Sequence, residues 1–224
     1  MNSLTLRQRL IAIAERDAGQ METSRNRGPA IEKFWAATTY GREGYVNREP
    51  YCAAAVAWWV REWLRDPAVL GALDMTGQAA EKWRCKSARA FDWIDWAKSR
   101  GVRVLSDAPS HTLHTGDIEV FDFSHIGIVR GDQDDRIFTI EANTGNTSGN
   151  DGDGIFRKNR PREVARCFLR LLGEAVSPPA GGRGIVCIVT EAQTPMPGTL
   201  KHLQLEKVPR RRRLQWHSRK VRSN

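Results

Sequence analysis

The feature that most constrains this chain is the segment CAAAVAWWVREWL at residues 52–64, set just behind Pro50. Proline cannot lie inside a helix, so Pro50 marks a boundary, and the alanines and Leu64 favour a helix after it. Val56, Trp59, Val60 and Trp63 form an apolar stripe along that helix. It is the most strongly helical and most buried-looking element of the chain, and the remainder must pack around it.

Other helices precede and follow it. Leu6, Leu10 and Ile13 recur at helical spacing, which predicts an amphipathic helix over 4–18 closed by Gly19. A short helix is expected in AIEKFWAAT and another over 87–99, capped by Ser87 and ended by Gly101, whereas GREGYVNREP reads as turns. The character then switches to β-type runs at 118–122, 125–130, 136–141 and roughly 164–172, separated by GD, GDQDD and NTGNTSGNDGDG. Helices first and antiparallel strands after them predict an α+β domain over 1–172. GEAVSPPAGGRG then opens a Pro/Gly-rich linker, 173–200, holding the brief apolar run GIVCIVT, and 201–224 is a basic tail expected to be disordered.

Charge follows the same division. The net charge is +9, but the tail holds nine Lys/Arg and one acid, Glu206, a local charge of +8; the first 200 residues carry +1. The basic character therefore describes the tail. It suits adhesion to anionic polymers or lipids of a cell envelope, a reading preferred to nucleic-acid binding with Trp216 stacking on bases. The N-terminus, with Arg7, Arg9, Glu15 and Arg16 interrupting its apolar residues, does not read as a signal peptide, and no run is long enough to span a membrane. Synthesis as a soluble cytoplasmic protein is expected, with any export by another route.

The four cysteines, Cys52, Cys85, Cys167 and Cys187, are too far apart for a CxxC or Cys/His cluster, so no zinc site, other metal or cofactor is expected. Neither do they suggest a disulfide scaffold. Most read as buried thiols, but Cys52 stands at the first turn of its helix. Unpaired N–H groups and the positive end of the helix dipole favour a thiolate there and can receive an oxyanion. His125 opens the SHIGIV strand. A hairpin centred near Gln133 pairs residues whose numbers sum to about 266, which predicts Glu141 opposite His125 and Asn143 as a diagonal neighbour on the same face. A carboxylate and an amide beside a histidine orient it and raise its basicity, and a register slip of one residue would break the arrangement.

The ordered motifs PYCAAAVAWWV, TGDIEVF, SHIGIV and TIEANT resemble the CHAP domain (cysteine, histidine-dependent amidohydrolase/peptidase), a branch of the papain-like superfamily close to the NlpC-type enzymes. The resemblance extends to NRGPAIEKFW, GIFRKNRP and CFLRLL and covers roughly 4–172. It implies a papain-like fold with Cys52 as nucleophile, His125 as general base, and Glu141 and Asn143 as the orienting acid and amide. It implies hydrolysis of a peptidoglycan amide bond, by an N-acetylmuramoyl-L-alanine amidase or an endopeptidase, in a phage endolysin or an exported antibacterial effector. One departure is Ala55, where a Phe is common in the family. The alternatives are a papain-like amidase or transferase acting on a small amide, and a non-enzymatic basic nucleic-acid-binding protein.

Weaker signals have plainer explanations. Asp151 and Asp153 could hold calcium, as in some CHAP domains, but their loop lacks EF-hand spacing and reads better as a Gly-rich turn. Trp59, Trp63, Trp93 and Trp96 read as core, Trp58 as a cleft-lining candidate, and His111 and His114 as surface residues without partners.

Overall fold

Alanine side chains let other elements approach a helix closely from every side. In the computed structural model, which describes residues 3–107, 111–145 and 152–173, the central helix Cys52–Trp63 buries nine of its twelve residues. It packs on an N-terminal helix α1 (Ser3–Glu15), on α2 (Pro29–Trp35) and on two strands of a sheet. Leu6, Leu10 and Ala14 of α1, one turn apart, supply its buried stripe. Two indole N–H groups fasten the packing: Trp63 donates to the Leu6 carbonyl at 2.8 Å and Trp59 to the Asp17 carboxylate at 2.9 Å.

The turn-rich stretch before the central helix contains a short helix instead, α3 (Gly41–Val46), which makes the central helix α4. Its Gly44 lies flat on the Trp35 ring; a Cβ there would fall 2.2 Å from the ring carbons. The sequence reading also passed over α5 (Pro67–Ala72) and α6 (Gly77–Trp83), each about two turns or less and started by a side-chain cap. Asp66 accepts from the Ala68 N–H and Thr76 from the Ala79 N–H. The helix expected from Ser87 begins later, as α7 (Asp92–Ser99). Ser87 organises the turn ahead of it, accepting from the Arg89 N–H and donating to Asp92.

Six antiparallel strands follow: β1 (Arg103–Leu105), β2 (Ile118–Phe121), β3 (Ile126–Gln133), β4 (Arg136–Thr144), β5 (Gly154–Pro161) and β6 (Ala165–Arg170), in the order β1-β6-β2-β3-β4-β5. The described residues thus form an α+β unit, as expected. One face of the sheet, with Ile118, Val120, Ile126, Ile128, Ile140 and Ala142, joins the helical core. Leu105, Leu113, Val129, Ile137, Ala165 and Phe168 form a second, smaller apolar cluster. No described helix is long and apolar enough to cross a membrane. Cys187, Asp151, the linker beyond Gly173 and the basic tail lie outside the described residues.

The β3–β4 register corrects the expectation. The hairpin closes at Asp134–Asp135, with Gln133 opposite Arg136, and a bulge at Arg130 shifts the ladder so that Gly127 faces Glu141. Glu141 is therefore opposite Gly127 rather than His125, two residues from the anticipated position. A shift of two preserves the face on which each side chain projects, whereas a shift of one would have inverted it.

Gly44→Ala is expected to destabilise the fold by about 1–3 kcal/mol through overpacking against Trp35, read as a lower midpoint in urea unfolding.

Candidate active site

His125 immediately precedes β3. Its carbonyl accepts from the Phe121 N–H at 2.9 Å, and its ring lies against Phe121 and Phe123 with centroids at 5.5 and 5.9 Å. The ring is almost completely buried. Its Nε2 is 3.0 Å from Glu141 Oε2, the diagonal partner across the hairpin. The Cys52 side chain is also hydrogen-bonded to this ring, and with Nε2 held by Glu141, Nδ1 is the nitrogen left for the thiol. Cys52, His125 and Glu141 are thus brought into one line although helix, strand entry and strand supply them separately.

Asn143 joins the group by another path. It sits in the left-handed region (φ 57°) at a ladder irregularity between Ala142 and Thr144, and its backbone N–H donates to the phenol oxygen of Tyr51. Tyr51 immediately precedes Cys52, is fully buried, and donates to the Gly154 carbonyl at 3.4 Å. Asn143 and β5 therefore grip the start of α4.

Arg160 of β5 was not singled out in the sequence. Its register opposite Ile137 puts it on the same face as Thr139 and Glu141. Its Nε and Nη2 donate to the two oxygens of Glu141 at 3.0 and 2.6 Å, and Thr139 Oγ1 donates to Oε1 at 2.6 Å. The guanidinium also lies over the Phe121 and Phe123 rings. The signal for it in GIFRKNRP is obscured because β5 is an edge strand, where exposed charges are common.

These contacts set the protonation states. Burial alone would raise the Glu141 pKa, but hydrogen bonds and charge from His125 and Arg160 outweigh it and hold the group at about 2. Burial would lower that of His125, yet Cys52 and Glu141 together raise it to about 9. Glu119 of β2 behaves in the opposite way. It pairs with Gly127, which pairs with Glu141, so two carboxyl groups flank one glycine across three strands. A Cβ on Gly127 would lie 2.8 Å from Glu141 Cγ. Glu119 is fully buried, neither oxygen has a hydrogen-bond partner among the described residues, and burial followed by the charge of Glu141 pushes its pKa well above the usual carboxylate range.

Cys52 opens on a cleft of about 440 Å³, where Trp35, Tyr40, Glu49, Arg89 and Ser124 are among the residues around it. Trp58 is not one of them; it lies under the Arg61 guanidinium, 4.2 Å from its centroid. His111 is not without partners, since Nδ1 lies 3.2 Å from the Ser106 hydroxyl, and His114 is half-buried. Among the described residues no group of His, Cys, Asp and Glu could hold a metal ion. Cys85 and Cys167 are buried, and burial pushes both thiols up to about 11. Cys52 alone of the described cysteines has a histidine beside it. No protein-family model and no curated protein matches the chain.

Two outcomes follow from the charge balance. Arg160→Met should cost about 3–5 kcal/mol by stranding the Glu141 carboxylate, whereas Glu119→Met should be neutral or stabilising, because no hydrogen bond is lost; paired denaturant titrations read the contrast. The pH dependence is also specified. The depressed Glu141 contributes stability that is complete above its ordinary 4.5 and lost as pH falls toward 2. The raised His125 contributes stability that is complete below 6.5 and lost as pH rises through about 9. Because Cys52 supplies part of the latter shift, Cys52→Ala should flatten the alkaline decline between pH 6.5 and 9.5; parallel curves for the two proteins would contradict the coupling.

Proposed function

We propose that the protein is a papain-like cysteine amidohydrolase of the CHAP type that cleaves an amide bond in peptidoglycan. The observation that carries this reading is the line from Cys52, at the start of α4, through His125 to the buried, ionised Glu141. The resemblance in PYCAAAVAWWV, SHIGIV and TIEANT supports the substrate class.

In this mechanism His125 holds the proton of Cys52, and the thiolate attacks the scissile carbonyl. The Cys52 backbone N–H, among the first of α4 and so without an intrahelical acceptor, receives the developing oxyanion. His125 then protonates the leaving amine and activates the water that hydrolyses the thioester. Glu141 keeps the imidazole oriented and stabilises the imidazolium throughout. Its own orientation comes from Arg160 and Thr139. An amidase would release a free lactyl carboxyl on the sugar and an endopeptidase a new peptide carboxyl, so the products distinguish the two.

Cys52→Ala should reduce release of fragments from purified cell walls by about a thousandfold or more, and Glu141→Gln by about a hundredfold. Mass spectrometry of the fragments reads both rate and bond; lysis undiminished in Cys52→Ala would refute the assignment.

A further inference from the structure

The cleft at Cys52 does not end at Tyr40 and Arg89. Both also line a second groove of about 710 Å³, bordered by α6, by the segment leading into α7 and by α7 itself, so the two depressions adjoin at these residues. Lys82, Arg84, Lys86, Arg89 and Arg100 line this groove against a single carboxylate, Asp92. Some of that charge is already used. Arg84 and Lys86 both pair with Glu81, at 2.7 and 2.8 Å, and the Ser87 hydroxyl donates to Asp92 at 2.6 Å. Lys82 and Arg89 are exposed, and neither pairs with an acidic side chain among the described residues. Uncommitted positive charge thus begins at the rim of the nucleophile's cleft and continues away from it.

We infer that this groove seats carboxylates of the peptide stem whose amide lies at Cys52, with Arg89 taking the one nearer the scissile bond and Lys82 one farther along. The inference rests on the peptidoglycan-hydrolase reading and adds to it the charge of the substrate on one side of the cut. One observation selects an acidic peptide over a separate anionic polymer: Arg89 lines both depressions, so a single chain with its amide at Cys52 can also reach the groove. The guanidinium fork takes a carboxylate in two hydrogen bonds, as it also takes a phosphate.

Binding to the full-length Cys52→Ala chain separates the possibilities. A synthetic stem tetrapeptide with free carboxylates is compared by calorimetry with the same stem amidated. The free acid should bind about tenfold more tightly at low salt, with the advantage shrinking as salt rises. Adding Lys82→Gln and Arg89→Gln should bring the two stems within about twofold of each other. Equal binding of the two stems, no binding of either, or a preference that survives the double substitution overturns the groove. Displacement of the stem by poly(glycerol phosphate) at equal charge concentration overturns it in favour of a phosphodiester ligand. Turnover by the unsubstituted protein is scored separately, as release of fragments from purified cell walls, which contain both the sugar–peptide and the stem-peptide amides. A retained preference without turnover refutes the hydrolase reading and leaves the groove standing, while turnover without preference does the reverse.

Discussion

A carboxylate with no exposed surface has to be surrounded by compensating charge, and the arrangement around Glu141 governs the environment of His125 and Cys52. Removing an ion from water costs several kcal/mol even after relaxation. Arg160 offsets that cost with two hydrogen bonds, Thr139 with one, and His125 with a fourth. The guanidinium is thereby spent, which explains the otherwise odd state of Glu119. That residue lies two strands away on the same face and finds no donor among the described residues, so burial and the charge of Glu141 raise its pKa. Gly127 between them is the spatial condition for both, because any side chain there would push into Glu141.

The same sheet positions the thiol. Nine of the twelve residues of α4 are buried, and its first turn is held by Tyr51, which reaches Gly154 of β5 and Asn143 of β4. His125 is held by the Phe121 N–H from below and by two aromatic rings from the side. Cys52 and His125 are thus fixed by a helix and by strands that share one core, which keeps the two side chains in register. Aromatic packing, hydrogen bonds and the ion pair contribute to one geometry.

How much of this could be read from residue order depends on the range of the interaction. Periodicity locates α1, α4, β2, β3, β4 and β6, because each carries a stripe or alternation of apolar residues longer than one turn. The short α5 and α6 depend on Asp66 and Thr76 caps, and three-residue β1 on its pairing with β6, neither of which leaves a periodic trace. In the site, local logic reached Cys52, and hairpin arithmetic associated Glu141 with His125 although it misplaced the pair by two residues. The bulge at Arg130 was the missing quantity. Arg160 and Glu119 were out of reach, since their roles arise from strand neighbours far away in the chain. Asn143 shows the converse: its place in the motif was legible, but its attachment through Tyr51 depends on a positive φ and on how β4 meets the helix.

The three described cysteines give the sharpest instance of environment deciding chemistry. All are buried, so burial cannot be what distinguishes them. Cys85 and Cys167 meet no histidine, and the loss of solvent pushes their thiols up to about 11, where little thiolate exists at neutral pH. Cys52 instead has a hydrogen-bonded imidazole beside it, and that imidazole stays basic despite its own burial because Cys52 and the ionised Glu141 together raise its pKa. Glu141 in turn remains ionised because of His125 and of Arg160, the latter on an edge strand more than a hundred residues from the thiol. The reactivity assigned to one helix start is therefore a property of the far side of the sheet.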